Sequence, residues 1–194
     1  LLLPAAQAQS RSPNASAAKV EPMDLNDGLV AYYPFDGNAN DASGNGNGGT
    51  VNGAIATEGK DGNPGSALLF DGTDDYINIG EKDGINIGGP WPERTISVWF
   101  KANDVTVSDR KQVVYKEGGG IRGFSTYVFD GQLYMSHWMT EGVSTYLSTP
   151  INSDVWYHIT LRLNAGASPE SGGFRAYVNG SLYETGEGIR ITEH

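Results

Sequence analysis

Cysteine is absent from all 194 residues. That excludes a disulfide framework, a Cys-ligated zinc and a thiol nucleophile, leaving an apolar core or an oxygen-bound hard cation to hold the fold. Basic residues are scarce as well: 13 Lys and Arg against 23 Asp and Glu give a net charge of −10. Such a surface repels a phosphate backbone, so nucleic acid is excluded as a partner. No window reaches the ~18 consecutive apolar residues of a membrane span. No stretch carries a convincing helical period either. Without helices to cover a sheet, any sheet must be covered by another sheet.

What is present in excess is glycine, with 27 residues, about twice the usual share of roughly 7%. It is scattered among Asn, Asp and Ser with no three-residue repeat, which predicts many tight turns between short strands. The length suits one domain. Residues 1–8, an apolar start ending in Pro4-Ala5-Ala6-Gln7-Ala8, have the small-residue pattern that precedes a signal-peptidase cut, and are expected to be the remnant of a secretory signal. Residues 9–26, rich in Ser, Ala, Pro and Asn, are expected to be a disordered linker. The folded domain is then 27–194, in a protein that is secreted or held at the cell surface.

Runs of β-branched and aromatic residues bounded by Gly, Asn and Asp predict strands at Leu29–Tyr33, Ala67–Phe70, Tyr76–Ile79, Thr95–Lys101, Val113–Lys116, Phe124–Phe129, Leu133–His137, Thr145–Leu147, Tyr157–Leu163 and Phe174–Val178. Within Thr95–Lys101, Ile96, Val98 and Phe100 alternate with Ser97 and Trp99, so one face is buried and Trp99 lies on the other. Tyr157, Ile159, Leu161 and Leu163 form the inward set of a second such strand. Asp130-Gly131 and Asn179-Gly180 supply two-residue hairpin turns. About ten short strands without helices predict a two-sheet antiparallel sandwich.

Several segments resemble, in order, the laminin G-like, concanavalin A-like lectin/glucanase jelly-roll domains of secreted bacterial proteins. They are Leu29-Val30-Ala31-Tyr32-Tyr33-Pro34-Phe35-Asp36-Gly37, Gly65 to Ile77 with its Phe70-Asp71-Gly72 and Asp75-Tyr76, Thr95 to Lys101, Trp156-Tyr157-His158, and Ala176 to Gly180. The resemblance implies an all-β jelly-roll sandwich. It also implies a closing strand beyond the last hairpin, and the chain reaches His194 without one; the expectation is a sandwich lacking its C-terminal closing strand.

The side chains bear on three kinds of chemistry. Asp36, Asn38 and Asn40 alternate and Asp41 follows, while Asp71, Asp74 and Asp75 crowd a second loop. Gathered carboxylates repel one another, so a divalent cation is a natural partner. Asp36, Asn38, Asp41, Asp71 and Asp74 are the candidate metal ligands for a structural Ca²⁺, which the resemblance favours; the bland alternative is that these residues only cap turns. Catalysis by paired carboxylates needs two acids on one strand face, and the nearest approach, Glu81-Lys82-Asp83-Gly84, reads as a turn, so no catalytic residue is assigned. Aromatic side chains exceed what a core needs, with ten Tyr and four Trp, and sugar rings stack on such side chains. Tyr134, His137, Trp138 and Tyr146 are the candidate carbohydrate-binding set, whereas Trp99, Trp156 and His158 are expected to be structural.

The expected function is non-catalytic recognition of an extracellular glycan or glycoconjugate by a module of a larger protein. Its rivals are a lectin-like appendage of a glycoside hydrolase and an adhesion module that binds protein.

Overall fold

Alternation and turn chemistry together build twelve strands in the computed structural model, which describes residues 24–86, 93–117, 122–139, 144–164 and 173–186. The expected signal remnant, most of the linker and Trp91 lie outside the described residues. In chain order the strands are β1 (Thr50–Asn52), β2 (Ile55–Thr57), β3 (Ala67–Leu69), β4 (Tyr76–Asn78), β5 (Glu93–Lys101), β6 (Gln112–Lys116), β7 (Arg122–Phe129), β8 (Gln132–Met139), β9 (Ser144–Pro150), β10 (Trp156–Asn164), β11 (Phe174–Val178) and β12 (Ser181–Gly186). No described residue is helical.

Two four-stranded antiparallel sheets, ordered β6-β7-β8-β9 and β12-β11-β10-β5, carry the sandwich, with the ribbons β1-β4 and β2-β3 beside them. Both hairpin turns form as the sequence dictates: Asp130 and Gly131 have φ of 47° and 75°, Asn179 and Gly180 of 50° and 79°. This pair of positive φ values matches the right-handed twist of the flanking strands. A two-residue loop also fixes register, so Phe129 pairs with Gln132 and Tyr127 with Tyr134.

The core lies between the two sheets. Phe124, Val128, Leu133, Met135 and Leu147 come from one; Ile159, Leu161, Leu163, Phe174 and Ala176 come from the other. Phe124 and Phe174 stack across the gap at 6.2 Å, both fully buried. Burying each such side chain contributes about 1.5–3 kcal/mol relative to exposure.

One expected strand does not form. Residues 29–35 make no ladder, because polar side chains of the following loop take up their backbone groups. Asp41 accepts the Tyr32 amide at 2.9 Å, while Asn45 and Asn47 donate their side-chain amides to the Val30 carbonyl at 3.1 and 2.9 Å. A segment so satisfied has no call on a neighbouring strand. In exchange, the short strands β1 and β2, for which the sequence offers only three-residue patterns, pair with β4 and β3.

Candidate functional site

Side chains of the β6-β7-β8-β9 sheet that alternate with the core set form its outward face. Leu133 and Met135 point into the core, so Tyr134 and Ser136 point outward. Tyr134 stacks on its cross-strand partner Tyr127, centroids 4.9 Å apart and planes within 12°. Lys111 Nζ stands 4.4 Å from the Tyr127 ring. In the next row Ser125 and Ser136 share a hydroxyl contact at 3.2 Å, and Tyr146 pairs with Ser136 on the far side with 61% of its surface exposed. Tyr127 and Tyr134 thus share one row and Tyr146 stands in the next, beside the buried Ser136.

Of the four candidate sugar residues, the structure therefore places Tyr134 and Tyr146 on one face of adjacent strands. Trp138 pairs by backbone with Gly123 and Ser144; its side chain lies outside the described residues. His137 belongs to the opposite face. It is fully buried, 4.7 Å from Phe174 and 6.5 Å from Phe124. Among the described residues neither ring nitrogen has a hydrogen-bond partner, and burial pushes its pKa down to about 4. Closeness in sequence grouped it with Tyr134, but an odd step along a strand reverses the face. Tyr127, absent from the candidate set, was legible from the same alternation combined with the two-residue turn at Asp130-Gly131.

The acidic candidates separate in the same way. Asp41 spends its carboxylate on the backbone amides of Tyr32, Ser43 and Asn47, each at 2.9 Å. Burial works to raise its pKa, yet these donors outweigh it and hold the group at about 2. Asp36 accepts the Asn38 side-chain amide through its carbonyl, and Asn38 in turn accepts the Asn40 amide, so this loop is a chain of Asx turns. Asp71, Asp74 and Asp75, in contrast, bring one carboxylate oxygen each within 4.8 Å of one another. Asp75 also accepts the Asp71 amide and Asp71 the Thr73 amide. Gly53 makes this crowding possible: its φ is +81°, and a Cβ there would fall 1.7 Å from Asp75 Oδ1. Asp36, Asn38 and Asp41 are not members of the triad.

Glu81 and Asp83 flank a turn closed by the Ile85 amide donating to the Lys82 carbonyl, not a strand with two acids on one face. An open cleft between this turn and residues 28–30 is lined by Asn45 and Asn47, whose amides are already given to the Leu29 and Val30 carbonyls.

The outward face of the second sheet holds Trp99, 46% exposed and stacked on His158 at 4.8 Å. His158 Nε2 lies 2.7 Å from Ser97 Oγ, and Lys60 Nζ stands 5.0 Å from the Trp99 ring.

Two antiparallel sheets packed face to face, with aromatic side chains on their outer surfaces, define a jelly-roll sandwich of the lectin type. The chain belongs to the concanavalin A-like lectin/glucanases superfamily, whose Laminin_G_3 profile matches residues 71–191, well over half of its length. Among solved structures it is similar to the binding domain of Paraclostridial Mosquitocidal Protein 1, with a TM-score of 0.61 and 19% identity over 88% of this chain and 44% of that one. It is likewise similar to the botulinum neurotoxin serotype D binding domain, with a TM-score of 0.61 and 15% identity over 87% of this chain and 42% of that one. At such identities the likeness concerns the fold, and the chain spans under half the length of either structure. No curated protein matches the sequence. Among the described residues, no helix is long and apolar enough to cross a membrane.

Proposed function

We propose that the chain is a non-catalytic carbohydrate- or glycoconjugate-recognition module of a larger secreted or surface protein. The observation that carries this reading is the exposed ring of Tyr146, diagonal on the same outward face to Tyr134, which is itself backed by the buried Tyr127. Flat rings offer stacking faces to sugars, and the tyrosine hydroxyls at their rims offer hydrogen bonds. The superfamily and the solved binding domains of the same fold support it. Tyr146→Ala is expected to weaken glycan retention at least fivefold, about 1 kcal/mol, with little change in Tm because the ring is largely exposed. Tyr127→Ala, at 9% exposure, should lower Tm as well. A glycan array that retains neither the native chain nor its variants would overturn the carbohydrate reading and favour a protein adhesion partner.

A structural Ca²⁺ belongs to the same proposal. Asp71, Asp74 and Asp75 offer hard oxygen donors in one place, which suits a cation that takes six to eight oxygens. A cation bound only by the folded state adds about 2.7 kcal/mol at 100 times its Kd. The expected result is a higher Tm in calcium than in chelator, abolished by Asp74→Asn; equal melting in both buffers would remove the cation.

A further inference from the structure

Acids give this chain a net charge of −10, yet none lies in the sheet that carries Tyr127, Tyr134 and Tyr146. The four strands β6 to β9 contain no Asp or Glu, whereas the second sheet has Glu93 on β5 and Glu184 on β12. The carboxylates that border the tyrosine sheet are engaged or sit in turns. Glu117 follows β6 but is buried against Arg94 at 2.8 Å. Asp109 pairs with Arg110 at 3.3 Å, and the same guanidinium lies 3.9 Å from where a Cβ on Gly72, beside Asp71, would stand. Asp104 accepts the amide and hydroxyl of Thr106. Asp130 and Asp154 occupy turns with positive φ. Glu141 and the Arg122 side chain lie outside the described residues.

The cations of this face are Lys111 and Lys116. Both are exposed, and neither is in an ion pair among the described residues. Lys111 stands over the Tyr127 ring. Lys116 is aimed by an irregularity in β6. Val113 pairs with Tyr127, and unbroken pairing would set Lys116 opposite the core residue Phe124. The register shifts between Val113 and Tyr115, so Lys116 pairs with Ser125 instead. A bulge turns a side chain to the other face in this way. Ser125 pairs with Ser136, and Ser136 with Tyr146. One row therefore crosses all four strands from an ammonium to an exposed aromatic ring. The two serines between are small and bonded to each other, so a ligand meets the two ends. Three inter-strand spacings of roughly 4.8 Å separate those ends by about 14 Å, the reach of a short oligosaccharide.

Granted the reading of this face as a glycan surface, on which the argument rests, we infer that it selects anionic glycans. The saccharide lies across the strands, with one sugar ring on Tyr146 and a carboxylate or sulfate group at Lys116. The ammonium donates charge-assisted hydrogen bonds to that group. Lys111 adds a second positive charge over Tyr127. The acidic remainder of the molecule repels the same ligand, which confines it to this sheet. A methyl ester or a neutral sugar gains nothing from Lys116.

The test is retention on polygalacturonate, its fully methyl-esterified form, dextran sulfate and neutral dextran. The native chain is compared with Lys116→Glu, Tyr146→Ala and Lys101→Glu, the last making the same charge change on the second sheet. Polygalacturonate should be retained in preference to its ester, and less so as salt rises. Lys116→Glu should weaken retention tenfold or more with Tm little changed, since the side chain is exposed, and Lys101→Glu should leave it as it was. Retention of dextran sulfate as well assigns the surface to anionic groups at large; retention of dextran sulfate alone assigns it to sulfate esters. Equal retention of charged and neutral matrices, or of the native chain and Lys116→Glu, would overturn the inference. If Tyr146→Ala still weakens retention in that case, the glycan reading stands without it. Retention on none of the four matrices also overturns the inference, and the glycan array then decides whether the reading beneath it falls too.

Discussion

Glu117→Ala is expected to destabilise the fold by about 3–5 kcal/mol, because removing one member of a buried ion pair strands the other. Glu117 Oε2 lies 2.8 Å from the Arg94 guanidinium, and the two side chains are only 3% and 10% exposed. The Tyr115 hydroxyl donates to the same carboxylate oxygen, and Arg94 also donates to the Ile85 carbonyl. Burial pushes the Glu117 carboxyl up, while Arg94 and the Tyr115 hydroxyl oppose it. The same surroundings raise the Tyr115 hydroxyl well above the usual phenol range, through burial first and the neighbouring carboxylate second. A double variant, Arg94→Met with Glu117→Met, removes both charges while keeping apolar volume and should recover most of the loss. Urea unfolding of the three variants measures this; a Glu117→Ala cost below about 1 kcal/mol, the level of an exposed pair, would show that the pair is solvated.

The second large effect is acid sensitivity seated at His137. Its folded pKa of about 4 lies below the ordinary value of 6.5, because burial strips water from the charged imidazolium. Between those values the unfolded chain binds a proton that the folded chain refuses, so stability is full above pH 6.5 and falls as pH drops toward 4. The shift corresponds to roughly 3 kcal/mol. Unfolding measured at pH 7 and pH 4 should show this loss in the native chain and lose most of it in His137→Leu, which keeps an apolar side chain of similar size. Asp41, held at about 2 from an ordinary 3.8, weakens the fold only at still lower pH, so the two windows do not overlap. An identical pH dependence in both proteins would show that His137 is not the group responsible.

Much of the architecture was readable in the chain itself. Period-two alternation in Thr95–Lys101 and Tyr157–Leu163 assigned their buried faces, and the structure keeps the same sets inward. Asp130-Gly131 and Asn179-Gly180 determined both the turns and the registers, since local dihedral preference and two-residue loop length leave no slack. The same parity that puts Leu133 and Met135 inward also sends His137 inward, so its burial was available to any reading that followed faces instead of neighbours.

Tertiary structure decided what alternation cannot express. Whether Leu29–Tyr33 enters a sheet depended on loop side chains at Asp41, Asn45 and Asn47 reaching back to its backbone. The Asp71, Asp74 and Asp75 triad needed a glycine from another loop, Gly53, to admit Asp75. Arg94 met Glu117, and Lys116 came into line with Tyr146, only once separate strands had taken their places. A strand's sequence specifies its two faces through local geometry. Which other strand lies beside it or behind it is set by the packing of the whole core, and the charged pairs of this protein are a consequence of that packing.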